Sequence, residues 1–262
     1  MDLLTVDMIT KHFGGLAALS DITFSVRAGE MVGLIGPNGA GKTTLINLIT
    51  GADQPTSGEI FFKGKAITSA QNYQISRLGI ARTFQIVKPF PGMTVQENVL
   101  TAALFGNERI RHNMKEAVLE SERILELVGL RHLRNARPNE TTIPDRKRLE
   151  LAKALATGPD LLLLDEVMAG LNAAELNKMM DLIRELNRKG LTLFLTEHIM
   201  KAVMGLSQRI IVLHHGRKIC EGPPSQIAND ERVIEAYLGG KYSRARKKNA
   251  LAPTPPGTVR ET

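Results

Sequence analysis

The stretch Gly36-Pro-Asn-Gly-Ala-Gly-Lys-Thr43 matches the pattern G-x-x-x-x-G-K-[ST] in full, directly behind an apolar run, Met31-Val-Gly-Leu-Ile35. The chemistry of this pattern is a phosphate cradle. Glycines let the backbone curl until successive N–H groups point inward at one anion, which assigns Gly36, Pro37, Asn38, Gly39, Ala40 and Gly41 to the cradle. Lys42 brings a mobile cation to the β- and γ-phosphates, and the Thr43 hydroxyl can coordinate Mg²⁺. From Thr44 the chain reads as a helix, whose N-terminal dipole favours the same phosphates. Strand, phosphate loop and helix in that order predict an α/β fold with a nucleotide bound at the loop.

A second half of the site is expected far downstream. Leu161-Leu-Leu-Leu164 is an apolar run ending in Asp165-Glu166 and preceded by Gly158-Pro159. Such a run reads as a buried central strand. A carboxylate at the C-terminal end of a strand points into the ligand crevice of a parallel sheet. Asp165 is thus placed to hold Mg²⁺ through water, and Glu166 to act as general base or to orient the attacking water.

Along the chain, short strands are expected at 3–9, 22–26, 31–35 and 60–62, with turns at Gly14-Gly15, Ala28-Gly29 and Ser57-Gly58. The loop helix is expected over 41–50 and a further strand over 80–84. Residues 94–156 read almost wholly helical: Thr94 caps 95–105, 114–127 has helical spacing, and 145–156 follows Pro144. After Gly158-Pro159 the α/β alternation resumes, with a strand at 161–164, a helix at 174–189 and a strand at 192–196. A short helix at 199–206 and a closing hairpin of 210–213 with 218–220 follow. A mixed sheet core is therefore interrupted by a helical lobe and then completed. Such a site couples the state of the γ-phosphate to rotation of the lobe.

The chain has 262 residues, 43% of them hydrophobic, enough to build a sizeable core. One cysteine, Cys220, excludes an internal disulfide framework and suits a reducing compartment. No apolar run approaches the roughly 20 residues that span a bilayer, and no signal peptide is evident. The expectation is a protein soluble on its own, peripheral to any membrane it serves. Net charge is +7, and residues 241–262 carry six cations against Glu261. That segment also holds Pro253, Pro255 and Pro256 and reads as a basic, disordered tail. With 4% aromatics and no Trp, nothing supports nucleic-acid binding.

Three further residues sharpen the picture. Gln85 follows the expected strand 80–84, where the chain leaves the core for the helical lobe. A carboxamide there can ligate Mg²⁺ or the attacking water. His198, in Thr196-Glu-His198, follows a strand and could hydrogen-bond the γ-phosphate and hold Glu166. Phe13 precedes Gly14-Gly15 and could stack on adenine.

Together these residues resemble the ATP-binding subunits of ABC transporters over about residues 3–240. Residues 36–44 look like Walker A, Gln85 like the Q-loop, 161–166 like Walker B with the catalytic glutamate, and His198 like the switch histidine. Phe13 looks like the adenine-stacking aromatic. The implied fold is a P-loop NTPase, a RecA-like mixed sheet core with an N-terminal antiparallel β region. A helical subdomain over about 90–157 is inserted in the ATPase domain 1–240, with 241–262 as tail. Lys11-His-Phe-Gly-Gly15, Ala81-Arg-Thr-Phe-Gln85, Phe90-Pro-Gly-Met-Thr-Val-Gln-Glu-Asn98 and Ala169-Gly-Leu-Asn172 are most similar to the LivG-like ATPases of branched-chain amino-acid importers. The resemblance implies ATP hydrolysis with Mg²⁺ at the cytoplasmic face of the membrane. The implied partners are a second ABC ATPase chain, two integral-membrane permeases and a periplasmic or extracellular solute-binding protein.

The sequence departs from the family at the signature, at Val167 and at Asn172, which fills the place usually taken by an aspartate. Where a Leu-Ser-Gly-Gly-Gln signature is expected, the chain has Thr141-Thr142-Ile143-Pro144-Asp145. Thr142 keeps a hydroxyl, but Pro144 has no N–H to offer a phosphate. Val167 also stands where a proline usually follows the glutamate. The degenerate signature leads to the expectation of a heterodimer with two unequal ATP sites. Competing readings are a lipid or polysaccharide exporter of the same fold, a soluble ABC protein acting on DNA or the ribosome, and a non-hydrolysing regulatory subunit. Intact Lys42, Asp165, Glu166 and His198 argue against the last.

Overall fold

Strands that alternate between buried and exposed residues make one sheet, and a second sheet is built around three strands buried at every position. The computed structural model describes residues 2–84, 87–107 and 113–238. Strands β1 (Asp2–Phe13) and β2 (Leu16–Arg27) pair antiparallel across the Gly14-Gly15 turn. Beyond β3 (Met31–Ile35) and α1 (Lys42–Ile49), β4 (Ser57–Phe62) pairs antiparallel with β1, and β5 (Lys65–Ala66) with β4. Leu4, Val6 and Ile9 of β1 and Ile22, Phe24 and Val26 of β2 are buried, and most residues between them are not. That alternation is what a sheet with one solvated face requires.

The chain then runs through α2 (Asn72–Leu78), β6 (Ile80–Arg82), α3 (Val95–Leu104), α4 (Met114–Leu127) and α5 (Ile143–Ala156). It continues through β7 (Leu161–Asp165), α6 (Ala173–Arg188), β8 (Thr192–Thr196), α7 (Met200–Leu206), β9 (Arg209–His214) and β10 (Arg217–Gly222). Helices α8 (Pro224–Ile227) and α9 (Glu231–Leu238) follow. Among the described residues the second sheet has the order β10-β9-β3-β8-β7-β6, parallel except for the β9–β10 hairpin. Strands β3, β7 and β8 are buried throughout, because helices or the other sheet cover both faces.

Leu45, Ile46 and Ile49 of α1 pack with the inner faces of both sheets, and the Phe24 and Phe194 rings stack with centroids 5.7 Å apart. The opposite face of the parallel sheet is closed by α6, α7 and part of α5. Val95, Val99, Ala117, Ile124, Leu125, Leu149, Ala152 and Ala156 form a separate core among α3, α4 and α5. Among the described residues no helix is long and apolar enough to cross a membrane.

The differences from the sequence-based expectations have local causes. Helix α5 begins at Ile143, not at 145, with Thr142 as N-cap and Pro144 inside the first turn. A proline there costs nothing, since first-turn N–H groups have no intrahelical acceptor. The strand expected over 80–84 stops at Arg82. Ser57-Gly58, expected as a turn, opens β4. Helix α2 was not anticipated; Ile75 is its only fully buried residue, so it lacks an apolar stripe.

Candidate nucleotide site

The C-terminal ends of β3, β7 and β8 lie side by side, since Thr196 is in register with both Leu34 and Asp165. This is the edge of the parallel sheet where a ligand crevice forms. The phosphate loop leaves β3 there and enters α1. Gly36 allows a close approach: a Cβ at this position would lie 2.2 Å from the Leu213 carbonyl oxygen. Gly41 caps α1 in the left-handed region at φ +103°, with Leu19 Cδ2 2.6 Å from where a Cβ would be. Both positions therefore need glycine for steric reasons.

Lys42 is buried, and its Nζ donates to the carbonyls of Gly36 at 2.7 Å and Pro37 at 3.1 Å. Burial lowers its pKa, while Glu166 and then Asp165 hold it up, which places both carboxylates within electrostatic reach of the ammonium. The loop is braced from the far end of the chain: the Gly216 N–H, in the β9–β10 turn, donates to the Ala40 carbonyl at 3.1 Å. The Tyr237 phenol, on α9, lies near the Gly36 N–H, and burial pushes its pKa up.

Asp165 ends β7 and is almost fully buried. Its backbone N–H donates to Thr83 Oγ1 at 3.2 Å, and its Oδ2 accepts from Arg82 at 2.7 Å. The same guanidinium donates to Asn47 Oδ1 of α1 at 2.7 Å and lies 5.1 Å from the Phe84 ring centre. Sequence reasoning missed Arg82. The available signal was a cation within an expected strand, since a buried cation must find a carboxylate or shift its pKa.

Glu166 sits at φ +51°, in the left-handed region that a non-glycine residue seldom occupies. Its N–H donates to the Thr196 carbonyl at 2.9 Å, and its Oε1 meets His198 Nε2 in a short contact. A backbone conformation of this kind persists only where its surroundings over-determine it. Glu197, next to His198, is buried, and its Oε1 accepts from the Met168 N–H at 2.7 Å. Burial first, and the Glu166 charge second, push its pKa up to about 7. Glu197 was not singled out from the sequence either; a Glu between a buried strand and a histidine carries no motif.

A cleft of about 570 Å³ is lined by loop residues 38–44 together with Glu166 and His198. Leu16, Ala17, Ala18, His215 and Gly216 complete its wall. The structure thus brings together Asn38, Gly39, Ala40, Gly41, Lys42, Thr43, Thr44, Glu166 and His198. Phe13 does not line this cleft: it ends β1, half-exposed, with Lys11 Nζ 4.8 Å from its ring centre. Gln85 lies outside the described residues, as do the tail residues 241–262. Thr142 is not among the residues that line the cleft. Its Oγ1 accepts from the Asp145 N–H at 3.3 Å and donates to the Asp145 carboxylate at 2.6 Å.

The family described as ABC transporter matches residues 19–169, and that described as branched-chain amino acid ATP-binding cassette transporter matches residues 217–243. The high-affinity branched-chain amino acid transport ATP-binding protein LivG of Salmonella typhimurium is 40% identical over 249 residues, covering 90% of this chain and 98% of its own. The corresponding BraF of Pseudomonas aeruginosa is 38% identical over 249 residues, covering 90% of this chain and 98% of its own. Among solved structures, the ADP conformation of MJ1267, an ATP-binding cassette of an ABC transporter, superposes with a TM-score of 0.83 at 32% identity, covering 91% of this chain and 99% of that one. A dimeric, post-hydrolysis cassette, MJ0796 bound to ADP and Pi, gives 0.76 at 26% identity, covering 84% and 98%. The phosphate loop, the acidic strand end and this likeness over most of the length agree: the chain belongs to the ATP-binding cassette family of ABC transporters, and is an ATPase with the P-loop fold.

Proposed function

We propose that this chain hydrolyses ATP to drive import of branched-chain or closely related amino acids. The observation that carries the reading is the cleft that joins the phosphate loop to Glu166 and His198. The second family match, over residues 217–243, favours an importer of this class over an exporter of the same fold. The loop amides and Lys42 bind the β- and γ-phosphates. Glu166 accepts the proton of the attacking water, and His198 orients that carboxylate. Thr43 and Asp165, with Gln85, hold Mg²⁺. Their hard oxygen donors suit an ion that is bound through few protein groups plus phosphate oxygens, and Lys42 senses the same carboxylate. Bound there, the ion neutralises charge developing on the phosphates. Phe13 supplies the adenine platform, reached by an approach of the base toward the end of β1.

The chain works at the cytoplasmic face of the membrane, with two permeases and a solute-binding protein. Exposed Tyr73 and Phe84 line a groove of about 400 Å³ between α2 and α5, and exposed Phe90 has its ring 5.6 Å from Nζ of the groove residue Lys153; together they give a permease helix an apolar seat. The second ATPase chain is a different polypeptide. The α5 N-terminus of this chain is already occupied by the Thr142 hydroxyl and the Asp145 carboxylate, and Pro144 offers no N–H, so it is a poor phosphate ligand for a partner's site.

The test is uptake of radiolabelled leucine by cells or vesicles carrying the assembled transporter, with ATPase measured in parallel. Lys42→Ala weakens ATP binding by about tenfold or more, as loss of a charged donor does. Glu166→Gln binds ATP normally, and its turnover falls by roughly 100-fold, the scale of general-base loss. Leucine uptake falls with turnover in both. Normal turnover by Glu166→Gln overturns the base assignment, and ATPase without leucine, isoleucine or valine uptake overturns the substrate class. Robust ATPase by this chain alone overturns the heterodimer.

A further inference from the structure

Two buried ionisable groups outside the nucleotide cleft close on the same short turn. Residues 167–169 follow Glu166 and lead out of the site. On one side Lys147 Nζ, buried on α5, donates to the Val167 carbonyl at 3.3 Å and, in a short contact, to the Ala169 carbonyl. On the other side Glu197 accepts the Met168 N–H at 2.7 Å. The turn is therefore gripped through two carbonyls and the amide between them. Its own closure is a single long bond, Ala169 N–H to the Glu166 carbonyl at 3.3 Å, and Glu166 stands at φ +51°. A left-handed Glu relaxes unless its neighbours prevent it.

Lys147 also has a particular address on α5. It shares a helical row, spaced i, i+4 and i+7, with Leu151 and Ala154, which pack into the core of the parallel sheet. Leu149, Ala152 and Ala156 of the same helix pack instead with α3 and α4. Helix α5 is thus shared by the lobe and the core, and Lys147 is its polar contact with the turn behind Glu166. A buried ammonium cannot release its acceptors without a large desolvation penalty, so it moves with them.

We propose that Lys147 and Glu197 are positioning residues that clasp the turn 167–169, fix Glu166 against His198, and make the hydrolytic geometry depend on the placement of α5. Neither side chain lines the nucleotide cleft. The inference rests on the assignment of Glu166 as the base, and it adds a mechanical route from the helical lobe to that base.

The experiment compares turnover, KM for ATP, affinity for a non-hydrolysable ATP analogue and thermal unfolding in the full-length chain within its transporter. Glu166→Gln is the reference. Lys147→Met keeps length and apolar stem but loses the donors; its kcat falls roughly 10- to 100-fold, the scale of a misplaced catalytic group. KM and analogue affinity stay within about twofold, since the phosphate cradle is untouched. Lys147→Arg restores most of the turnover. Glu197→Leu removes the acceptor and lowers kcat similarly, while Glu197→Gln retains an acceptor and turns over like wild type. The double variant Lys147→Met/Glu197→Leu loses no more than the worse single one, because both act on one turn. Unchanged kcat in Lys147→Met, equal losses in kcat and analogue affinity, or fully additive losses overturn the clasp. If Lys147→Met does not fold, the Leu and Gln variants of Glu197 decide by the same criteria. Normal turnover in Glu166→Gln would instead remove the base assignment on which the clasp rests.

Discussion

Glu197 carries a measurable signature of its own. Its carboxyl sits in a dry pocket beside Glu166, with the Met168 N–H and Lys147 opposing but not cancelling the effect of burial. The folded pKa of about 7 lies above the ordinary 4.5. A raised acid favours the protonated folded state, so the stabilisation is complete below about pH 4.5 and is lost as pH rises through about 7. The shift corresponds to about 3 kcal/mol across that window. Denaturant unfolding between pH 4.5 and 8 is expected to show wild type losing stability relative to Glu197→Gln by about this amount. Parallel profiles for the two proteins would mean the carboxyl titrates normally. Arg82 is the comparable case at Asp165: its guanidinium ties Asp165 of β7 to Asn47 of α1, so one cation holds the acidic strand end against the loop helix.

At the scale of elements, helix α5 is the most informative. Its first turn is closed by its own side chains, Thr142 accepting from the Asp145 N–H and donating to the Asp145 carboxylate. Thr142→Ala is expected to destabilise the chain by about 1 kcal/mol, and Thr142→Ser to leave it unchanged. Thermal or denaturant unfolding checks both, and an Ala variant as stable as wild type would show the cap to be idle. The same helix marks where the sequence was and was not legible. Strands β3, β7 and β8 were read to within a residue because a strand buried on both faces is a bare apolar run between turn residues. Helix α4 was read to the residue because its apolar positions recur at helical spacing. The start of α5 was misplaced because Pro144 was taken as a barrier, although a first-turn proline is compatible with a helix. Loop residues, Glu166 and His198 were legible as motifs. Arg82, Lys147 and Glu197 were not, because their roles come from contacts between residues 20 to 83 positions apart, which no local pattern encodes.

On the scale of the whole molecule, the two sheets share one core around α1, the far face of the parallel sheet and the helical lobe have their own, and the nucleotide cleft draws on elements of both sheets. Residues 245–262 add little to bury, with Leu251 and Val259 their only large aliphatic side chains. Deleting them is expected to leave ATP affinity within about twofold and soluble yield intact. Isothermal titration on the truncated chain checks this, and lost solubility would show that the segment is needed. The expected tolerance ends before the β9–β10 turn, whose Gly216 N–H braces the phosphate loop at Ala40. Ribosomes make a chain from its N-terminus, so the loop emerges about 180 residues before the amide that braces it. A nascent chain of this protein therefore carries an unfinished cradle for most of its synthesis, and the cleft is complete only after the β9–β10 turn has been made.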